Sequence, residues 1–141
     1  MCSRKVVILY RFPAHYRVPF FQRLARALGK RGIKLVVVYG SEPPPGSNVG
    51  GESPRLECGE TVPTYYLNIG DSHVLWQRCF RHLRGANLVI MQQEARILSN
   101  YPLLLWRCLA PGRLALWGHG KNFQTDVSDS LAERVKKHFS L

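Results

Sequence analysis

Three short polar segments contain the side chains best suited to chemistry in this 141-residue chain. The first is 11–17 (Arg-Phe-Pro-Ala-His-Tyr-Arg), the second is 92–94 (Gln-Gln-Glu), and the third is 118–122 (Gly-His-Gly-Lys-Asn). Arginine binds phosphate groups with a planar set of donors, and histidine gains or loses a proton near neutral pH. These segments indicate binding of a polar or anionic ligand, with His119 and Glu94 as the candidates for proton transfer.

Two phosphate-binding motifs are absent from these segments. Residues 11–17 contain none of the glycines of Gly-x-Gly-x-x-Gly, which let a pyrophosphate approach the backbone. In the segment 115–122, Ala115 stands where a phosphate loop needs glycine, and Asn122 stands where it needs serine or threonine. We therefore expect neither a dinucleotide site nor a phosphate loop, and no cofactor.

Each segment also has a purely structural interpretation. His119 could hydrogen-bond locally, in a turn where the two flanking glycines serve the backbone geometry. Arg11 and Arg17 could face water, and His15 could do no more than orient the helix that follows. Residues 92–94 could be the polar start of a helix. The residue types alone leave these alternatives open.

The strongest compositional signal is a formal net charge of +11, from 20 Lys and Arg against 9 Asp and Glu. This charge predicts attraction to polyanions, and three classes of partner fit: nucleic acid, an anionic membrane surface and phosphorylated small molecules. It is also typical of solvated helix faces. Charge alone does not choose among these partners.

The cysteines and the amino terminus indicate a cytoplasmic protein with free thiols. Cys2, Cys58, Cys79 and Cys108 form no Cys-x-x-Cys pair, so we expect neither a zinc cluster nor a disulfide framework, and no metal site. The apolar segment 6–10 is too short for a signal peptide, and no apolar run approaches the roughly 20 residues of a membrane-spanning helix.

Apolar patterns predict the elements that position the polar segments. Continuous apolar runs predict buried strands at residues 5–10, 33–39 and 88–91. A short strand candidate at 64–67 and a strand at 113–117 bring the number to five. Helical spacing predicts helices from residue 18 to about 32, over 75–83, over 98–109 with a break near Pro102, and from Ser130 onwards. A long loop is predicted at 40–63, and Trp76, Trp106 and Trp117 are assigned to the core.

This alternation predicts an α/β fold, with a single Rossmann-like domain over 1–141 whose parallel sheet has helices on both faces. If the strands take the common order 3-2-1-4-5, the direction of winding reverses between the first and fourth strands. Ligands bind beyond the carboxyl ends of the strands at such a switch point. The three polar segments follow the first, fourth and fifth strands, so we expect them to meet there.

The block 5–28, the Gln-Gln-Glu segment and Trp-Gly-His-Gly-Lys-Asn at 117–122 together resemble the amino-terminal domain of GT-B glycosyltransferases of family 4 (group 1) type. The resemblance covers nearly the whole chain. It implies transfer of a glycosyl group from a nucleotide sugar, with the acceptor bound mainly in this half. The donor would be bound by a carboxyl-terminal half that these residues lack, so we expect the chain to be inactive alone.

The resemblance also implies which residues line the cleft between the two halves. They are Arg11, Phe12, His15, Tyr16, Arg17, Gln92, Glu94, Gly118, His119, Gly120 and Asn122. No donor-binding residue carries over. Glu52 and Glu60 match the Glu-x7-Glu spacing of the family's donor half, but they lie in the predicted loop, and we interpret the match as chance.

The basic charge fits an anionic or lipid-linked acceptor, with peripheral contact at the inner face of a membrane. Nucleic acid is not favoured, because the tryptophans are not interleaved with Lys or Arg on a strand. Two alternatives remain. The chain could be a non-catalytic binding module or partner subunit, for nucleic acid or for a donor-domain protein, or it could be a truncated gene product.

Overall fold

The computed structural model describes residues 4–47 and 54–118. Within them the chain forms, in order, β1 (Arg4–Tyr10), α1 (Val18–Gly29), β2 (Ile33–Gly40), β3 (Gly59–Val62), β4 (Thr64–Ile69), β5 (Ser72–Gln77), β6 (Leu88–Gln92), α2 (Asn100–Leu109) and β7 (Arg113–Trp117). Short 3-10 turns occupy His15–Arg17 and Phe80–Leu83.

Five parallel strands form the central sheet, in the order β3-β2-β1-β6-β7. Numbered along the chain, these strands have the predicted order 3-2-1-4-5. The chain winds from β1 towards β2 and β3 on one side, and β6 and β7 lie on the other. The switch point therefore falls between β1 and β6. The antiparallel pair β4–β5 forms a separate hairpin.

Helices cover both faces of the sheet, which confirms the predicted α/β Rossmann-like fold. Successive strand residues point to opposite faces, so Ile8 packs in one buried cluster with Phe21 of α1. Val7 packs in the other cluster with Leu103 of α2. Because β1 is buried from both sides, its sequence is a continuous apolar run and not an alternating one.

The α2 helix begins at Asn100 and continues through Pro102, so the predicted break near Pro102 is wrong. Pro102 lies in the first turn, where backbone N–H groups have no acceptor within the helix. A proline there removes no hydrogen bond, and the helix continues to Leu109.

Four predictions between residues 40 and 83 are corrected by the structure. The third strand of the sheet is β3, which lies inside the predicted loop 40–63. The predicted strand at 64–67 belongs to the hairpin instead. The predicted helix over 75–83 is the end of strand β5 followed by a 3-10 turn. Trp76, assigned to the core, is 37% exposed.

The hairpin is explained by its two-residue connection, Gly70-Asp71, between Ile69 and Ser72. Gly70 has φ of 58°, a left-handed conformation that glycine adopts without the steric cost of a side chain. A positive φ at the first central position only is the pattern of a type II′ turn, whose twist matches that of paired strands. The turn therefore forms a hairpin where the apolar spacing predicted a helix.

Some predictions fall on residues that the structure does not describe. The helix from Ser130 onwards lies outside the described residues, as do Cys2 and Glu52. None of the described helices has both the length and the apolar character needed to cross a membrane.

Burial of thiol and phenol groups predicts loss of stability in alkali. Burial raises the pKa of the Cys79 thiol to about 11, and it also raises the pKa of Cys58 and of Tyr10. Since the folded state holds these protons more tightly than the unfolded state, its stability is complete below pH 9 and falls as the pH rises. We expect Cys79 alone to cost about 1 kcal/mol between pH 9 and 10, measured by urea unfolding at each pH.

Two variants separate this effect from general alkaline damage. Cys79→Ala should flatten the loss of stability between pH 9 and 10, since it removes the buried thiol. Cys108→Ser should leave the loss unchanged, because Cys108 is exposed. An unchanged pH profile in Cys79→Ala would contradict the assignment.

Candidate functional site

The loops that follow β1 and β6 meet at the carboxyl edge of the sheet, on either side of the switch point. The backbone N–H of Arg11 donates to Oε1 of Gln92 at 2.6 Å. The carbonyl oxygen of Arg11 accepts from the backbone N–H of Gly40 at 3.0 Å and from Nε2 of Gln77 at 3.2 Å. Arg11 is thereby tied to β2, β5 and β6 at once. Its backbone is fixed before any ligand binds.

The guanidinium group of Arg11 joins two further side chains. Nη1 donates to Oε1 of Glu94 at 2.9 Å, in an ion pair whose side chains are 18% and 30% exposed. Nη2 lies 3.2 Å from Nε2 of His73. A guanidinium group only donates, so this second contact is a hydrogen bond when Nε2 of His73 is unprotonated. The three side chains form a polar cluster, Arg11–His73–Glu94.

Tyr66 closes one side of this polar cluster. Its ring lies edge-on to His73, with the ring centroids 6.1 Å apart. Its hydroxyl group donates to the carbonyl oxygen of Glu42 at 3.2 Å. Burial raises the pKa of Tyr66, and the charge of Arg11 opposes that rise in part. The phenol is therefore protonated at neutral pH and contributes a neutral hydrogen-bonding group.

A second cation, Arg17, lies over aromatic rings at the same edge. Its guanidinium carbon is 5.8 Å from the ring centroid of Tyr10, 5.5 Å from that of Tyr16 and 5.6 Å from that of Trp117. These distances fall within the range of cation–π attraction. Hydrogen bonding with Tyr16 raises the pKa of Arg17. Among the ion pairs of the described residues, none involves Arg17.

The rings beneath Arg17 are held by the core. Trp117 packs at centroid distances of 5.7 Å from Tyr10, 6.1 Å from Phe20 and 6.3 Å from Phe21. Phe21 is fully buried, whereas Tyr16 is 76% exposed. These rings thus have a buried base, and the most exposed of them, Tyr16, lies beside a cation that takes part in no ion pair among the described residues.

The β5 strand holds the loop after β6 as well as the end of β1. The backbone N–H of Leu75 donates to the carbonyl oxygen of Arg96 at 2.8 Å. The carbonyl oxygen of Leu75 accepts from the backbone N–H of Leu98, also at 2.8 Å. The loop that carries Glu94 is therefore paired with the hairpin along part of its length.

The structure brings together most of the predicted site residues that it describes. Arg11, Gln92 and Glu94 are in direct contact, and Arg17 lies with Tyr16 over the aromatic cluster. Phe12 is half-buried in the same loop and His15 is exposed on its 3-10 turn. Gly118 follows β7, and a side chain at that position would meet Oε1 of Gln93 at 2.6 Å. His119, Gly120 and Asn122 lie outside the described residues.

The contribution of the hairpin to the site was not predicted from the sequence. His73, Tyr66 and Gln77 come from β4 and β5, in a region predicted as a strand and a helix. The Gly70-Asp71 pair between two β-rich runs was the signal available for a hairpin. It would have placed His73 close to the turn, although not against Arg11.

Metal binding finds no support in the described part of the chain, which holds no group of three His, Cys, Asp or Glu side chains arranged for an ion. The described side chains at the carboxyl edge offer hydrogen bonding, cation contact and stacking.

Searches of protein-family models, of curated proteins and of solved structures find no match to this chain.

Proposed function

We propose that this domain is the acceptor-binding half of a glycosyltransferase that uses a nucleotide sugar. The observation that carries the proposal is the joining of Arg11, His73 and Glu94 beside Arg17 at the switch point of a Rossmann-like sheet. Ligands of such sheets bind in the crevice at this point. The sequence blocks that resemble the GT-B amino-terminal domain supply Arg11, Arg17 and Glu94.

The side chains divide the work of holding an acceptor. Glu94 and His73 present groups that hydrogen-bond to hydroxyls, while Arg11 fixes both of them in place. The exposed ring of Tyr16 gives the acceptor a stacking surface. Arg17 pairs with a phosphate on the acceptor, because no described carboxylate neutralises it. The acceptor is thus a molecule that carries a phosphate, a class that includes lipid-linked phosphates.

The donor enters the proposal through a second Rossmann-like half. That half would bind the nucleotide sugar and bring its anomeric carbon to the acceptor held at the carboxyl edge. Catalysis needs both reactants in fixed orientation, so this domain supplies positioning. We assign no catalytic base among the described residues.

Arg17→Gln tests acceptor binding directly. With geranyl phosphate as a water-soluble probe, we expect the dissociation constant to rise about 10- to 100-fold, because a hydrogen bond to a charged group is lost. The measurement is a titration followed by amide shifts in two-dimensional NMR spectra. Geraniol, which lacks the phosphate, should bind equally weakly to the wild type and the variant.

Arg23→Gln is the matched control, since it removes the same charge from an exposed position on α1. It should leave the affinity within about twofold. Equal weakening in Arg17→Gln and Arg23→Gln would overturn the assignment of Arg17, because it would show that only the net charge of the protein matters.

A transfer assay separates a transferase from a binding module. It measures glycosyl transfer from several nucleotide sugars, with and without a donor half supplied in trans. Robust transfer by this chain alone would contradict its role as one half of an enzyme.

A further inference from the structure

A second cleft lies at the opposite edge of the sheet, where the strands begin. It is an open cleft of about 900 Å³, lined by the first residues of β1, β2, β6 and β7 and by the end of α2. The seven residues of β1 separate it from Arg11 by roughly 20 Å. It is therefore distinct from the carboxyl edge, and it goes beyond the function proposed above. We call it the amino-edge cleft.

Four arginines line the amino-edge cleft: Arg4, Arg84, Arg107 and Arg113. They come from four separate places in the chain, namely the start of β1, the turn before β6, the last turn of α2 and the start of β7. None of its lining residues is Asp or Glu. Like charges gathered without a counter-ion repel one another, so the arrangement costs stability unless an anion joins it.

Cations at this edge of an α/β sheet usually lie at the ends of helices, and this position accounts for only one of the four arginines. Helices end there, and a cation in the last turn offsets the negative end of the helix dipole. Arg107 has that position in α2. Arg4 and Arg113 begin strands and Arg84 follows a 3-10 turn, so no α-helix end accounts for them. All three are exposed, and within the described residues none forms an ion pair.

Arg107 is held rigidly in the wall of the cleft. Its Nη2 donates to the carbonyl oxygen of Ala86 at 3.1 Å, and Nη1 donates to that of Pro111. Its guanidinium carbon lies 4.7 Å from the ring centroid of Trp106. Gly112, with φ of 124°, lets the chain pass so close that any side chain there would collide with Arg107. One cation is thus fixed by its contacts, and three exposed ones share the lining with it.

We propose that the amino-edge cleft binds a ligand bearing two or more phosphate groups. Arginine is suited to phosphate because its planar donors match two oxygens at once. The volume is that of a small-molecule site, and a single phosphate would reach only part of its walls. Several phosphates bridge arginines that come from different elements. The same chemistry is offered by a free polyphosphate or by a phosphorylated lipid headgroup.

Calorimetry with inorganic tripolyphosphate tests the site on the full chain. The double variant Arg84→Gln/Arg113→Gln should weaken binding at least tenfold, since each arginine makes charge-assisted hydrogen bonds. The double variant Arg23→Gln/Arg26→Gln removes the same charge from the exposed face of α1 and should change binding less than twofold. Arg84 and Arg113 take part in the described hydrogen bonds through backbone groups only, so we expect the double variant to keep the fold.

Vesicles separate the two sources of phosphate. Phosphatidylcholine vesicles in which about one lipid in twenty is phosphatidylinositol bisphosphate present a phosphorylated headgroup at a membrane surface. If the wild-type protein sediments with these vesicles and the Arg84→Gln/Arg113→Gln variant does not, the ligand is a lipid headgroup. Tripolyphosphate binding without sedimentation assigns a free ligand. Equal weakening by the two double variants, or no binding of either probe, would overturn the proposal.

Discussion

Replacing Phe21 by alanine should lower the free energy of unfolding by about 3–5 kcal/mol, the range found when a large aromatic side chain is removed from a core. Phe21 is fully buried, and it makes edge contacts with Tyr10 at 5.6 Å and with Phe20 at 5.3 Å. Its removal leaves a cavity beneath Trp117, which the neighbouring rings cannot fill. Urea unfolding followed by circular dichroism measures the loss.

The adjacent residue provides a matched control. Phe20 contacts the same cluster but is 48% exposed, so Phe20→Ala removes much less buried area. We expect a loss of about 1 kcal/mol, from partial burial of one aromatic side chain. Equal losses in the two variants would contradict the burial of Phe21 in the core.

Phe21→Ala should also weaken binding of geranyl phosphate, because the rings that support Arg17 would lose the side chain beneath them.

Replacing Gly40 by alanine should cost about 1–3 kcal/mol, as expected when a methyl group is forced into a packed site. A side chain there would lie 2.5 Å from Oγ1 of Thr64 and 2.8 Å from the carbonyl oxygen of Arg11. That carbonyl oxygen accepts two hydrogen bonds, from Gly40 itself and from Gln77, so it cannot move without breaking one of them. Urea unfolding measures the cost, and NMR shifts of Arg11 report the displacement.

Gly29→Ala is the matched control, because it makes the same glycine-to-alanine change at an uncrowded position. Gly29 ends α1, and nothing lies within 4 Å of the side chain it would acquire. Alanine at such a position should stabilise the protein by about 0.4–1 kcal/mol, since it restricts the unfolded chain. If Gly40→Ala also stabilised the protein, the close approach of β2 to Arg11 would be disproved.

The two strands with the clearest signal in the sequence, β1 and β2, are buried from both sides of the sheet. β1 and β2 consist largely of apolar residues, because helices cover both faces of the sheet at its centre. β3 reads Gly-Glu-Thr-Val, and only Val62 is buried in it. An edge strand of four residues with one buried side chain has no apolar pattern. Its place beside β2 comes from pairing between distant parts of the chain.

The hairpin was missed because another structure satisfies the same spacing. Leu75, Cys79 and Leu83 are four residues apart, as on one face of a helix, and all three are buried. Leu75 is buried from strand β5, Leu83 from a 3-10 turn, and Cys79 from the chain between them. Burial was therefore predicted correctly at these three positions although the element was wrong, whereas the core assignment of Trp76 failed together with the helix. The tight turn at Gly70-Asp71 decides between the two structures.

The candidate site could be predicted as far as the sheet topology reaches. Arg11 and Glu94 meet because the strands before them, β1 and β6, are parallel neighbours. His73 joins them through the way the hairpin folds back, which depends on Gln77 donating to the carbonyl oxygens of Tyr10 and Arg11. A buried glutamine that donates to backbone carbonyl oxygens leaves no periodic pattern in the sequence. The position of His73 against Arg11 could therefore not be predicted.

The pairing of Leu75 with the loop after β6 has a consequence for cooperativity. The hairpin holds that loop through two backbone hydrogen bonds, and the same hairpin holds the end of β1 through Gln77. Small proteins open in contiguous units whose free energies lie below that of global unfolding. We expect the hairpin and the Glu94 loop to form one such unit at the rim of the sheet. Its opening would dismantle the polar cluster while the central sheet stayed folded, so occupancy of the site and exchange of the rim's amide protons are linked.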